Sequence, residues 1–121
     1  MNKRPAEVIQ KFKRFEPGQI GISVITISEL QYGVAKSKHQ KKNEQRLEEF
    51  LAPLEILIYD EIAAKTYGSI RFQLEKGGWP IGPLDLLIAA QAISRKLILV
   101  TNNEKEFKRV KNLKVQNWVK P

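Results

Sequence analysis

The segment GPLDLLIAA at residues 82–90 constrains this chain more than any other feature, because it places one carboxylate at the start of an otherwise apolar helix. Pro83 pre-sets φ for a first helical turn, and Asp85 in that turn complements the helix dipole. Taken alone, Asp85 is typical of an N-terminal helix acid. Apolar residues surround the axis of this helix and predict burial on more than one side: Leu86, Leu87, Ile88, Ala89, Ala90, Ala92 and Ile93.

Composition limits the class of protein. A length of 121 residues with 42% hydrophobic content fits one globular domain over residues 1–121. The chain has no cysteine, which excludes disulfides and thiolate zinc sites and agrees with a cytoplasmic location. No apolar run approaches the roughly 20 residues of a membrane span, so no membrane partner is expected. The net charge of +8 favours an anionic partner, either nucleic acid or an acidic protein segment.

The order of elements predicts an α/β fold. Helices alternate with short apolar strands, which implies right-handed crossovers, a mostly parallel sheet and helices on both faces, a three-layer α/β/α sandwich. The strands are predicted at residues 20–25, 56–59, 97–101 and 114–117, and the helices at 5–15, 26–35, 43–51, 60–78, from about 85, and 104–109. The helix at 26–35 is expected to begin with a capping box formed by Thr26 and Glu29.

Polar residues follow the predicted strands at their carboxyl ends, where sites form in parallel sheets. Glu29 lies just past one strand, Asn102 and Asn103 lie past another, and Asp85 opens a neighbouring helix. Carboxylates that converge on one crevice repel each other, and a hard divalent cation relieves that repulsion. The expected occupant is therefore Mg²⁺ or Mn²⁺, held by Glu29 and Asp85, which would activate water for attack on a phosphodiester.

Each of these residues also has a structural interpretation. Glu29 could serve only the capping box, Asn103 only a turn after a strand, and Thr101 only the strand itself. His39, in a lysine-rich turn, is expected to be solvated. The two tryptophans are interpreted as packing anchors: Trp79 and Trp118. The ordered set of motifs is more informative than any single member.

Three segments together resemble one family over essentially the whole chain. They are ITISELQYG at 25–33, GPLDLLIAA at 82–90 and LVTNNEKEF at 99–107, and in order and spacing they resemble the PIN-domain ribonucleases, most closely the VapC-type toxins of toxin–antitoxin modules. The resemblance implies a Mg²⁺- or Mn²⁺-dependent endoribonuclease. Its residues match as follows: Glu29 and Asp85 as catalytic and metal-binding acids, Asn103 at the position of a fourth acid, and Thr101 and Glu106 in accompanying positions.

The resemblance also implies partners. An RNA substrate, a cognate antitoxin and a homodimer are the expected ones, and apolar residues of the first helices should leave a partly exposed patch: Val8, Phe12, Leu47 and Phe50. Leu84 stands where close relatives often carry a polar residue, which changes the rim of the expected site.

One departure from the family affects the predicted activity. The family opens with a central strand ending in a catalytic Asp, and Met1 falls in the loop after it, so we expect an N-terminally truncated domain with impaired catalysis. The alternative is a catalytically inactive module that binds RNA or an antitoxin through its basic surface. A receiver-like signalling domain is disfavoured, because it needs a phosphorylatable Asp at a strand end followed by a Lys-bearing strand, and the predicted strands do not supply that pair.

Overall fold

The computed structural model describes residues 20–101 and 103–117. The chain divides into two compact units, Met1–Ile58 and Tyr59–Pro121. The predicted helix at 5–15, together with Val8, Phe12, Asn102 and Trp118, lies outside the described residues.

The first unit contains two strands and two helices. Strand β1 spans Gly21–Ser23, helix α1 Val24–Ala35, helix α2 Gln40–Leu51 and strand β2 Glu55–Leu57. β1 and β2 pair in parallel, with Gly21 opposite Glu55 and Ser23 opposite Leu57. A Cβ on Gly21 would lie only 3.1 Å from Leu57 Cδ1, so glycine lets the two strands approach without displacing this buried side chain.

The start of α1 corrects two predictions. The strand predicted over 20–25 ends at Ser23, and the helix predicted from Thr26 begins at Val24. The cap is Ser23, whose Oγ accepts a hydrogen bond from the Ile25 N–H at 3.0 Å. Because Ser23 satisfies a first-turn donor, the helix starts within the β-branched run, and Thr26 is not its cap. The predicted capping box is therefore wrong.

The second unit contains three helices and two strands. Helix α3 spans Glu61–Gly77, helix α4 Pro83–Ser94, strand β3 Ile98–Val100, helix α5 Glu104–Phe107 and strand β4 Lys114–Gln116. β3 and β4 pair in parallel, with Ile98 opposite Lys114 and Val100 opposite Gln116. Asp60 caps α3, its side chain accepting from the Ala63 N–H at 2.9 Å. Gly78 ends that helix at a φ of 77°, a left-handed conformation that favours glycine.

The core of the second unit lies where α3, α4 and α5 meet. It contains Ile70, Leu74, Leu86, Ala89, Ala90, Phe107 and Val110, with Leu99 and Val115 of the strands packed against it. On α4 the residues 86 and 89–92 are all buried, which confirms that this helix is enclosed on more than one side. The core therefore fixes α4 and α5, the two helices that carry Asp85 and Glu106.

The α/β class is confirmed. In the described part of the chain, five helices accompany short parallel strands. No helix there has the length and apolar character needed to cross a membrane. Two local expectations are wrong: Leu47 is buried rather than part of an exposed patch, and Trp79 is exposed rather than a packing anchor. Leu47 is the buried residue of α2, whereas Trp79 directly follows Gly78, the glycine that ends α3.

Candidate active site

The start of α4 positions Asp85. Gly82 is the N-cap residue and Pro83 occupies the first turn, so the helix begins two residues before Asp85. The side chain of Asp85 is partly buried and lies beside the Gly82 backbone, because a Cβ built on Gly82 would be 3.9 Å from Asp85 Oδ2. Asp85 thus sits in the first turn, as the sequence indicates.

Glu106, on α5, brings a second carboxylate to the same point. The Gly82 N–H donates to Glu106 Oε1 at 2.7 Å, and a Cβ on Gly82 would lie 3.6 Å from that oxygen. Oxygens of Asp85 and Glu106 therefore both lie within 4 Å of one position beside Gly82. The sequence predicts only an accompanying position for Glu106, and the structure places its carboxylate beside that of Asp85. The sequence signal for this approach is an acid three residues after Asn103, in the helical turn that follows a strand.

Asn103 and Thr101 shape the turn that presents Glu106. The Asn103 side-chain amide donates to Glu106 Oε2 at 3.0 Å, so both carboxylate oxygens of Glu106 accept hydrogen bonds. Thr101 Oγ1 accepts from the Asn103 N–H at 3.0 Å, and the Thr101 N–H donates to Gln116 O of β4 at 3.0 Å. These bonds link the end of the parallel pair to the start of α5, and they fix where Glu106 lies.

These hydrogen bonds favour the ionised form of Glu106. The Gly82 N–H lowers the pKa of the Glu106 carboxyl from its ordinary value, and the Asn103 amide acts in the same direction. Burial opposes this effect, while the positive charge of Arg109 and a hydrogen bond with Asp85 add to it. Glu106 is therefore an anion held in a defined orientation at neutral pH.

Glu29 lies in the first unit, on an exposed face of α1. Since Ser23 caps that helix, the structural interpretation of Glu29 as half of a capping box no longer applies. Asp85 and Glu106 belong to the second unit, and the sharing of one metal ion by Glu29 and Asp85 stays a prediction. His39 is exposed in the first unit, as expected for a solvated histidine.

The donor atoms of the second unit suit a hard cation. Asp85 and Glu106 offer carboxylate oxygens, and the Asn103 amide nitrogen faces Glu106, which leaves its carbonyl oxygen for another contact. Within residues 20–101 and 103–117, no three or more His, Cys, Asp or Glu side chains form a metal-binding group. Two carboxylates with retained waters are the coordination typical of Mg²⁺.

In this parallel-stranded α/β unit, the carboxylate that follows β3, Glu106, lies beside the carboxylate in the first turn of α4, Asp85, and the pair suits a divalent cation. The PIN domain family model matches residues 3–113, which is most of the chain. The match includes every residue assigned to the candidate site.

Similar proteins narrow the class. The chain is 50% identical over 101 residues to ribonuclease VapC2 of Rickettsia felis, covering 84% of this chain and 75% of the relative. It is 41% identical over 118 residues to the tRNA(fMet)-specific endonuclease VapC of Shigella flexneri, covering 98% and 89%. The crystal structure of DNA-bound VapBC from Salmonella typhimurium superimposes with a TM-score of 0.90 at 39% identity, over 96% of this chain and 87% of that one. The chain belongs to the PIN-domain family, as a VapC-type ribonuclease toxin of a toxin–antitoxin system.

Proposed function

We propose that this toxin hydrolyses RNA phosphodiesters with the help of Mg²⁺ or Mn²⁺, and that Asp85 and Glu106 are central to its site. The observation that carries the proposal is the approach of both carboxylates to one position beside Gly82. The two come from different elements, α4 and α5, and the hydrophobic core holds both helices.

Asp85 and Glu106 would hold the metal ion, with Glu29 and Asn103 as further proposed ligands or catalytic groups. When bound, the ion would activate a water molecule for in-line attack and stabilise the leaving oxygen. The hard oxygen donors of the second unit fit such an ion, and a site of few carboxylates would bind it weakly and leave several waters in place.

The protein's own groups prepare this site before any substrate arrives. The Gly82 N–H and the Asn103 amide keep Glu106 ionised and oriented. Thr101 holds the turn that carries Asn103. A hydrogen bond with Asp85 lowers the pKa of the Glu106 carboxyl further.

The relatives support a more specific proposal about substrate and partners. The Shigella flexneri relative is named a tRNA(fMet)-specific endonuclease, so we propose tRNA as the first RNA to test. We also propose that the activity is cytoplasmic.

The solved VapBC complexes support an antitoxin that binds this toxin, and self-association as a homodimer stays part of the proposal. The likeness to the Salmonella complex over 96% of the chain supports the finer proposal of a three-layer α/β/α sandwich.

A second candidate is a catalytically inactive module that binds RNA or an antitoxin. It is favoured by the lack of any group of three or more His, Cys, Asp or Glu side chains within the described residues. The net charge of +8 of the chain would allow it to bind the phosphates of RNA without cleaving them.

Cleavage of labelled tRNA with and without Mg²⁺ or Mn²⁺ distinguishes the two. Under the enzyme proposal, cleavage depends on the metal, and Asp85→Asn and Glu106→Gln each reduce it by about 100-fold, the upper range for loss of groups around a metal site. Glu104→Gln is the matched control, since Glu104 lies on the same helix and pairs with Lys108 at 3.8 Å. Metal-independent binding without cleavage would favour the inactive module, and equal loss in all three variants would contradict the site.

A further inference from the structure

A broad groove in the second unit lies between the C-terminal end of α3 and the segment after Glu104, with a volume of about 890 Å³. We call it the basic groove. Four cationic side chains line it, Lys76, Lys105, Arg109 and Lys111, and Ile70, Leu74 and Val110 form its apolar floor. Of the described residues that line it, none is acidic. The groove therefore combines strong positive charge with an apolar base.

Trp79 stands in this groove with 63% of its surface exposed. Its backbone N–H donates to Leu74 O at 3.0 Å, and the preceding Gly78 has a φ of 77°, so the turn that ends α3 fixes its position. The Arg109 guanidinium lies 5.6 Å from the centre of the ring. An exposed indole on an ordered turn is a surface on which another flat π-system can stack.

The basic groove adjoins the carboxylates of the proposed active site. Arg109 Nη1 donates to Pro80 O at 3.3 Å, and two residues later Gly82 donates to Glu106. Arg109 also follows Glu106 by three residues and acts on its charge. The segment from Trp79 to Gly82 is thus shared by the groove and the carboxylate site.

The chemistry of the groove favours one class of occupant. An acidic peptide would need the cations but gains little from a flat exposed ring. A single-stranded nucleic acid presents both phosphates and base faces in every nucleotide, so it matches the cations and Trp79 together.

Resting on the proposed ribonuclease function, we propose that the basic groove binds the single-stranded stretch of RNA next to the scissile phosphate, with a base stacked on Trp79. Lys105 and Lys111 neutralise its phosphates. Arg109 both supports the indole and contributes charge. The groove thus sets which strand of a folded RNA can reach Asp85 and Glu106.

The first test measures binding without metal, in EDTA and in an Asp85→Asn background, so that cleavage plays no part. A single-stranded oligouridine of about 20 nucleotides is titrated while the fluorescence of Trp79 is followed in a Trp118→Phe protein, and quenching is expected on stacking. Trp79→Ala should weaken binding, measured by fluorescence anisotropy of labelled RNA, by about 10-fold, and Trp79→Phe should restore part of it. Phe72→Ala is the control, because Phe72 is an equally exposed aromatic residue of α3 that does not line the groove.

The second test removes charge. Lys105→Gln with Lys111→Gln should reduce the slope of log K against log salt by about 1.4, since each phosphate contact on a single strand contributes about 0.7. Lys41→Gln with Lys42→Gln removes the same charge from the exposed face of α2 and should change the slope little.

Several results would overturn the inference. Equal effects of both lysine pairs would mean that net charge alone drives binding. Unchanged affinity in Trp79→Ala would exclude stacking. Equal quenching and affinity with an oligoglutamate of matched charge would identify a surface for an acidic protein segment. Because these measurements need no metal, they stand apart from the proposed function, which fails if the wild-type protein does not cleave RNA when Mg²⁺ is added.

Discussion

The carboxylates of Asp85 and Glu106 both lie beside Gly82. Its φ of −58° is available to any residue, and a Cβ there would make ordinary contacts at 3.6 Å and 3.9 Å with Glu106 and Asp85. We therefore expect Gly82→Ala to fold with unchanged thermal stability. The added methyl group would occupy the space between the carboxylates, so Mn²⁺ affinity, measured by isothermal titration calorimetry, should fall by about 10-fold. Unchanged affinity would mean that the cation binds elsewhere.

The lowered pKa of Glu106 leads us to expect that the free energy of unfolding depends on pH. Its folded pKa lies below the ordinary value of 4.5, so it adds stability above that value and loses the contribution as pH falls through the folded pKa. Urea unfolding of wild type and Glu106→Gln should therefore show the wild type more stable at about pH 6 and the difference vanishing towards about pH 3. Glu104→Gln, which lacks the Gly82 contact, should show a smaller change over this range. A constant difference would contradict the assigned hydrogen bonds.

At the scale of elements, caps decide where helices begin and end. The Asp60 cap, the Gly78 end and Pro83 were all predictable, because each is a residue type with a specific backbone role. The start of α1 was not, because Ser23 and Thr26 are both competent caps and only the pairing of Ser23 with Leu57 across the strands selects the first. The local sequence therefore shows which residues are able to cap the helix, and the pairing of the strands determines which of them does.

Helix α3 offers a prediction that depends on the element alone. Gly68 lies in its interior, is exposed, and has nothing within 4 Å of a Cβ built on it. Gly68→Ala should therefore raise the free energy of unfolding by about 0.5–1 kcal/mol, since alanine loses less backbone entropy on folding. Gly78→Ala should do the opposite, because its φ of 77° strains any residue with a Cβ. Thermal melts of the two variants give the comparison, and a destabilised Gly68→Ala would contradict the helix assignment.

At the scale of the whole molecule, the sequence predicted the α/β class and the place of Asp85 in the first turn of a buried helix, because periodicity and one apolar helix carry that information. The sequence did not predict that Glu106 lies beside Gly82, since the approach of α5 to Gly82 depends on packing of Phe107 and Val110 that no local pattern encodes. The interpretation of Trp79 as a packing anchor was wrong, because the sequence does not show that the turn after Gly78 leaves this aromatic side chain exposed.

The excess of positive charge predicts that RNA affinity depends on salt, and this dependence can be measured separately from RNA cleavage. If four cations of the basic groove meet phosphates, RNA affinity should fall by about 50-fold between about 50 and 200 mM salt, as a slope of about 0.7 for each contact gives. Asp85→Asn removes a negative charge beside that groove and forms no part of it, so its affinity should equal or exceed that of the wild type. Filter binding across the salt series in EDTA measures both quantities. Loss of RNA binding in Asp85→Asn would show that the carboxylate site itself holds the RNA, and a flat salt series would show that the lysines and Arg109 do not contact phosphates.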